Sequence, residues 1–150
     1  MKHIRYENFI IENNKINYQK FSSNIPFKHF VIENILEEES ANNILDNFKN
    51  NDGWTNLSLV NNYKKSLLND RKSMNVTCNE LIEELSSKDF IEKLTECTGF
   101  KNIFLDKSLE GGGLQQTLNG GLLNLHTDFT SHITQKNWRR VLNLIIYFNK

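Results

Sequence analysis

Two stretches decide how this chain reads: Leu122-Leu-Asn-Leu-His-Thr-Asp128, and Arg140-Val-Leu-Asn-Leu-Ile-Ile-Tyr-Phe-Asn149. In an extended strand, side chains at i and i+2 share a face. Leu122, Asn124, His126 and Asp128 then lie on one face of the first stretch, and Leu123, Leu125 and Thr127 on the other. An imidazole and a carboxylate two residues apart on one strand face make two-thirds of a two-His, one-carboxylate metal set with open coordination positions. The alternative for the same pair is a surface strand with a modest ion interaction, because H-x-D alone is a weak motif. In the second stretch Arg140, Leu142, Leu144, Ile146 and Phe148 share a face that suits burial. The opposite face carries Asn143 and Tyr147, which can hydrogen-bond a ligand inside a barrel or pack as ordinary strand side chains.

Working outward, Gly111-Gly-Gly113 reads as a loop, Leu114–Leu118 as a strand and Asn119-Gly120-Gly121 as a tight hairpin turn. Ile103–Leu105 reads as a short strand. Upstream the apolar spacing becomes helical. Leu36, Ala41, Ile44, Leu45 and Phe48 fall near the 3.6-residue period, with Glu37, Glu38 and Glu39 at the favoured N-terminal end, and the helix ends near Asn50. A second helix runs over 79–85 on Leu81, Ile82 and Leu85. A third begins at Asp89 on Phe90, Ile91, Leu94 and Cys97, closed by Gly99. Residues 9–21 alternate as a strand pair around Asn13-Asn14, and His29–Ile32 reads as a strand. The stretch 54–73 carries no legible pattern. Helices first and an antiparallel sheet second give an α+β class.

At 150 residues the chain is long enough for one modest core. Lys+Arg and Asp+Glu are both 18, so no basic excess favours nucleic acid. No apolar run approaches membrane-spanning length, and the N-terminus lacks the apolar stretch of a signal peptide. Cys78 and Cys97 form no CxxC pair and read as plain thiols of a reducing, cytoplasmic compartment. The 23 Asn residues read as a coding bias, since 11% aromatic residues do not belong to a disordered chain.

Four segments in order resemble the iron- and 2-oxoglutarate-dependent dioxygenases, and among them the prolyl 4-hydroxylase-like branch: Leu94–Gly99, Gly111–Gln116, Gly120–His132 and Arg139–Asn149. The resemblance covers about Ser87 to Lys150, with a looser match at Phe27–Asn50. It implies a double-stranded β-helix, or jelly roll, with N-terminal helices (1–100) supporting the first core strands (101–150) on its major sheet. It implies Fe(II), 2-oxoglutarate as cosubstrate and ascorbate as an accessory reductant. The product is a hydroxylated peptidyl or small-molecule substrate. His126 and Asp128 match the first two iron ligands. Tyr147 matches a position that holds the distal carboxylate of 2-oxoglutarate, and Asn143 and Gln116 line the same pocket.

No residue after the last strand matches the third ligand or the basic residue for 2-oxoglutarate, and His3 and His29 match no ligand position. His132 reads as a loop or substrate-side residue rather than a ligand, and Arg139 and Arg140 as solvated charges at a strand start. The expectation is therefore a dioxygenase domain lacking the distal half of its jelly roll. The alternative is an inactive remnant, or half of a split enzyme completed by a partner chain or a C-terminal segment. Neither nucleic acid nor membrane is an expected partner.

Overall fold

A computed structural model describes residues 2–9, 14–59 and 61–148. They form an α+β protein with helices α1 (Asn14–Ser23), α2 (Glu38–Asn50), α3 (Val76–Leu85) and α4 (Lys88–Thr98). Its strands are β1 (Thr55–Leu59), β2 (Asn62–Leu68) and β3 (Leu114–Leu123). Two compact units divide the chain: Met1–Ile44 with Val76–Lys107, and Leu45–Asn75 with Ser108–Lys150. Among the described residues no helix is long and apolar enough to cross a membrane.

The first unit is helical. α1 packs on α4, and α3 on α4. Its core collects the stripes that the helical spacing predicts: Ile44 from α2, Leu81, Ile82 and Leu85 from α3, and Phe90, Leu94 and Cys97 from α4. Phe90 is 0% exposed, and the Phe9 ring meets it edge-on at 5.5 Å between centroids. Ser87 caps α4 by accepting the Phe90 N–H at 3.3 Å. Gly99 closes the helix in the left-handed conformation (φ 74°), as the sequence indicates. A Cβ there would also stand 2.6 Å from the Tyr18 ring. The N-terminal strap is tied down by a bridge from Ile4 to Leu36 and by Glu84, whose carboxylate accepts the His3 N–H at 2.7 Å. The buried His3 ring meets Ser40 Oγ at 2.8 Å and Glu80 at 3.1 Å, so both its nitrogens serve packing.

Three expectations for this unit are corrected. The strand pair over 9–21 is not formed, because Asn14–Ser23 is helix α1; residues 10–13 lie outside the described ones. Its alternation gives way to docking, with Phe21 buried against Phe30 and Phe100. His29–Ile32 is not a strand. The His29 carbonyl accepts from the Asn24 side chain at 2.8 Å, and the His29 ring meets the Phe27 carbonyl at 2.9 Å, so local bonds replace a ladder. Ile103–Leu105 has no pairing strand and stays irregular.

The second unit carries the sheet, in the order β1-β2-β3 with both pairs antiparallel. Its first two strands come from the stretch without a legible pattern, so the sheet does not simply follow the helices. Ser66 and Leu68 are buried on one face of β2, opposite Gln116 and Leu114 of β3. The Ser66 hydroxyl donates to Asn56 Oδ1 on β1 at 2.8 Å. On α2, Phe48 meets Trp54 at 5.4 Å and Phe148 at 5.9 Å between centroids.

Asn119-Gly120-Gly121 makes no hairpin turn. β3 runs straight through it, and Lys64 alone faces Leu118–Gly121 between the paired rungs Lys65↔Thr117 and Tyr63↔Leu122. The positive φ that Asn-Gly supplies goes into this bulge instead: Gly120 has φ 73° and Lys64 φ 52°. At Gly121 a Cβ would sit 2.8 Å from the Leu118 and Tyr63 carbonyls. Beyond Leu123 one more bond, Asn124 N–H to the Asn61 carbonyl at 2.8 Å, ends the ladder. Of the expected strand Leu122–Asp128 only Leu122 and Leu123 are paired, as the end of β3; the rest of it and Arg140–Phe148 form no ladder among the described residues, and Asn149 lies outside them. Apolar alternation fits a strand, but strand formation also needs a neighbour to take its backbone groups. Here the chain folds back on itself only briefly, through Arg140 N–H to the Thr130 carbonyl at 2.9 Å and a bridge between Ser131 and Arg139.

Removing the Phe90 ring is expected to cost the first unit about 3–5 kcal/mol. Urea unfolding of Phe90→Ala followed by far-UV circular dichroism measures it. Both tryptophans, Trp54 and Trp138, lie in the second unit, so their fluorescence follows that unit. Gly121→Ala should lower stability by about 1–3 kcal/mol on that signal, because the added methyl meets two backbone oxygens.

Candidate functional site

The site is built on Asn124, the last residue held by the sheet. Its N–H is bound to Asn61, and its carbonyl meets His126 Nδ1 at 2.7 Å. A carbonyl can only accept, so Nδ1 carries the proton. The neutral ring then presents the Nε2 lone pair. That atom faces Asp128 Oδ1 at 3.6 Å. Both side chains are roughly half-exposed.

The other carboxylate oxygen of Asp128 is occupied. Asn143 Nδ2 donates to Oδ2 at 2.6 Å, and Arg140 reaches it at 3.3 Å. Thus one oxygen takes a hydrogen bond from Asn143 and an ion pair from Arg140, while the other points toward the imidazole. Arg140 is itself fixed from two more directions. Its guanidinium lies 4.0 Å above the centre of the Phe129 ring, and a second nitrogen donates to the Glu110 carbonyl at 3.2 Å. Contact with an aromatic face and a forked donor set suit arginine and not lysine. Arg140 is therefore not a solvated strand-start charge, and only its partners, remote in sequence, disclose this.

Glu110 also orders the neighbouring loop. Its carboxylate accepts the Ile133 N–H at 2.5 Å and lies 3.3 Å from His132 Nδ1. That nitrogen accepts the Thr134 and Gln135 N–H groups at 3.2 and 3.0 Å. His132 also meets Trp138 edge-on at 5.1 Å. These contacts tie His132 into the loop that runs from it to Trp138.

Of the residues singled out from the sequence, His126, Asp128 and Asn143 come together. Gln116 stays within β3, on the face of the buried Ser66. Tyr147 is 78% exposed, where the strand reading turns it inward. Among the described residues neither hydrogen-bonds the other three, and no three His, Cys, Asp or Glu side chains lie close enough to hold one metal ion. Comparison with family models, with curated proteins and with solved structures finds no match for this chain. The chemistry of the cluster therefore rests on its own geometry.

Arg140→Ala should destabilise the second unit by about 1–2 kcal/mol. That combines a cation–π contact with a hydrogen bond and a partly screened ion pair. Arg140→Lys should recover less than half, since a point charge cannot serve the ring, the carbonyl and the carboxylate together. Guanidinium unfolding read by tryptophan fluorescence tests both.

Proposed function

We propose that this chain belongs to the non-haem Fe(II)- and 2-oxoglutarate-dependent dioxygenases, acting on a peptidyl or small-molecule substrate, with His126 and Asp128 as two of the iron ligands. The observation that carries the reading is the pair of free donors, His126 Nε2 and Asp128 Oδ1, at 3.6 Å. Two ligand atoms each about 2.1 Å from one ion stand about 3.0–3.6 Å apart over the usual coordination angles, so the pair fits a shared metal. Supporting it, His126 has its other nitrogen on a carbonyl, and Asp128 has its other oxygen on donors, the usual outer contacts of ligating side chains.

Iron of this kind, bound with 2-oxoglutarate and O2, supplies oxidation of a C–H bond coupled to decarboxylation of the cosubstrate. The tasks of the chain are narrower. Asn124 sets the His126 tautomer, and the sheet fixes where Asn124 stands. His126 and Asp128 offer one neutral and one anionic donor while leaving other coordination positions open. The Tyr147 hydroxyl, on an exposed side chain, and Gln116 are the candidates for the 2-oxoglutarate carboxylate. Asn143, which the resemblance assigns to that pocket, is engaged with Asp128 instead.

A second reading is an interaction module or split enzyme whose site a partner chain completes. The observation favouring it is a set of exposed apolar side chains outside any ladder among the described residues: Leu125, then Val141, Leu144 and Ile145. Such a surface invites pairing with another chain.

Anaerobic titration of the 150-residue protein with Fe(II) and then 2-oxoglutarate separates the readings. The dioxygenase reading expects a visible charge-transfer band from the chelated cosubstrate, absent in His126→Ala. A folded protein that binds Fe(II) no better than His126→Ala would refute it.

A further inference from the structure

The bulge in β3 brings a side-chain cation to the peptide bond between Asn119 and Gly120. We infer that Asn119 is a self-modification site of the folded protein: its side-chain amide closes onto the Gly120 nitrogen with loss of ammonia, promoted by the Lys64 ammonium. No metal or cosubstrate takes part.

Of the 23 Asn residues in the chain, Asn119 is the one followed by Gly. Glycine has no Cβ to crowd its own nitrogen or to resist a turn of the backbone. Among the described residues, a Cβ built at Gly120 would meet only the Lys64 ammonium within 4 Å, at 3.5 Å. The space beside the Gly120 nitrogen is thus open to an approaching side chain. Asn119 is exposed, and among the described residues its side-chain amide has no hydrogen-bond partner to hold it back. A regular ladder would lock the backbone torsions here. Residues 118–121 instead fall between the rungs Lys65↔Thr117 and Tyr63↔Leu122, and Gly120 has φ 73°.

Lys64 supplies the chemical push. Its Nζ donates to the Asn119 carbonyl at 3.2 Å and lies 5.5 Å from the centre of the Tyr63 ring. That carbonyl oxygen belongs to the same peptide unit as the Gly120 N–H. When the nitrogen gives its proton to water, the negative charge is shared with this oxygen, so a cation bound there favours the deprotonated form. The nitrogen then attacks Asn119 Cγ. A C–N bond forms and closes a ring, the bond from Cγ to the amide nitrogen breaks, and that nitrogen leaves with a proton as ammonia. Water opens the ring at either carbonyl and leaves an aspartyl or isoaspartyl group at position 119. Water is consumed and ammonia released, with no oxidant or reductant. The product carries a new carboxylate beside Lys64, and the isoaspartyl form adds a backbone carbon inside the bulge.

The experiment incubates wild type, Lys64→Gln and Lys64→Arg in warm buffer near neutral pH and samples each over time. Digestion in mild acid prevents further reaction, mass spectrometry of the peptides measures deamidation at each Asn, and enzymatic methylation counts isoaspartyl groups. Circular dichroism confirms the fold of each protein; Lys64 is exposed, so its variants should fold. The expected result is that Asn119 reacts faster than any other Asn in the folded wild type. Its rate should fall about two- to fivefold in Lys64→Gln, the span of an exposed charge contact. Lys64→Arg, which keeps the cation, should react at close to the wild-type rate. An Asn119 still intact when other Asn residues have reacted overturns the inference. Equal Asn119 rates in folded wild type and folded Lys64→Gln overturn it as well.

Discussion

The Arg140 guanidinium is where three separated stretches of the second unit meet. It reaches the Glu110 carbonyl in the loop before β3, the Phe129 ring and Asp128 carboxylate after β3, and it opens the apolar run 140–148. Little of that region is held by a ladder. Beyond Asn124 the backbone makes only a short fold-back near Thr130 and Arg140. Side-chain bonds therefore do what strand pairing does elsewhere in a sheet. Each is modest, since half-exposed ion pairs are screened and flexible. What they supply is direction. Arg140 and Asn143 converge on one oxygen and leave the other facing His126.

The bulge in β3 is the second constraint. Three extra residues on one strand shift its alternation by an odd number, so the faces of the strand on either side of Gly120 are not continuous. Gly120 supplies the backbone angle and Gly121 the close approach to two carbonyls. The strand then delivers Asn124 to its bond with Asn61, and through Asn124 it sets the imidazole tautomer of His126. A turn signal in the sequence thus serves a different purpose in the fold, because Asn-Gly favours positive φ and does not dictate which structure uses it.

The helical unit was the legible part. The stripes on α2, α3 and α4, the acidic first turn of α2 and the Gly99 cap all follow from local rules, and the fold keeps them. These features depend on neighbours three or four residues away, which the sequence displays directly. α1 is the exception within that unit. Its residues alternate loosely as a strand would, yet its packing on α4 settles them as a helix.

The sequence by itself determined the α+β class, the three helical stripes and the presence of an imidazole and a carboxylate spaced to act together. It could not determine which apolar runs become strands. Ladder formation depends on a partner strand, so Thr55–Leu68, with no clear pattern, pairs, while Arg140–Phe148, with a strong one, does not. Nor could it assign Asn143 and Arg140, 15 and 12 positions beyond Asp128, to one carboxylate oxygen. Those contacts arise only when the chain folds back at Thr130 and Arg140. The surroundings of the Asp128 carboxylate are therefore set by tertiary contacts, where direction comes from geometry and not from residue type.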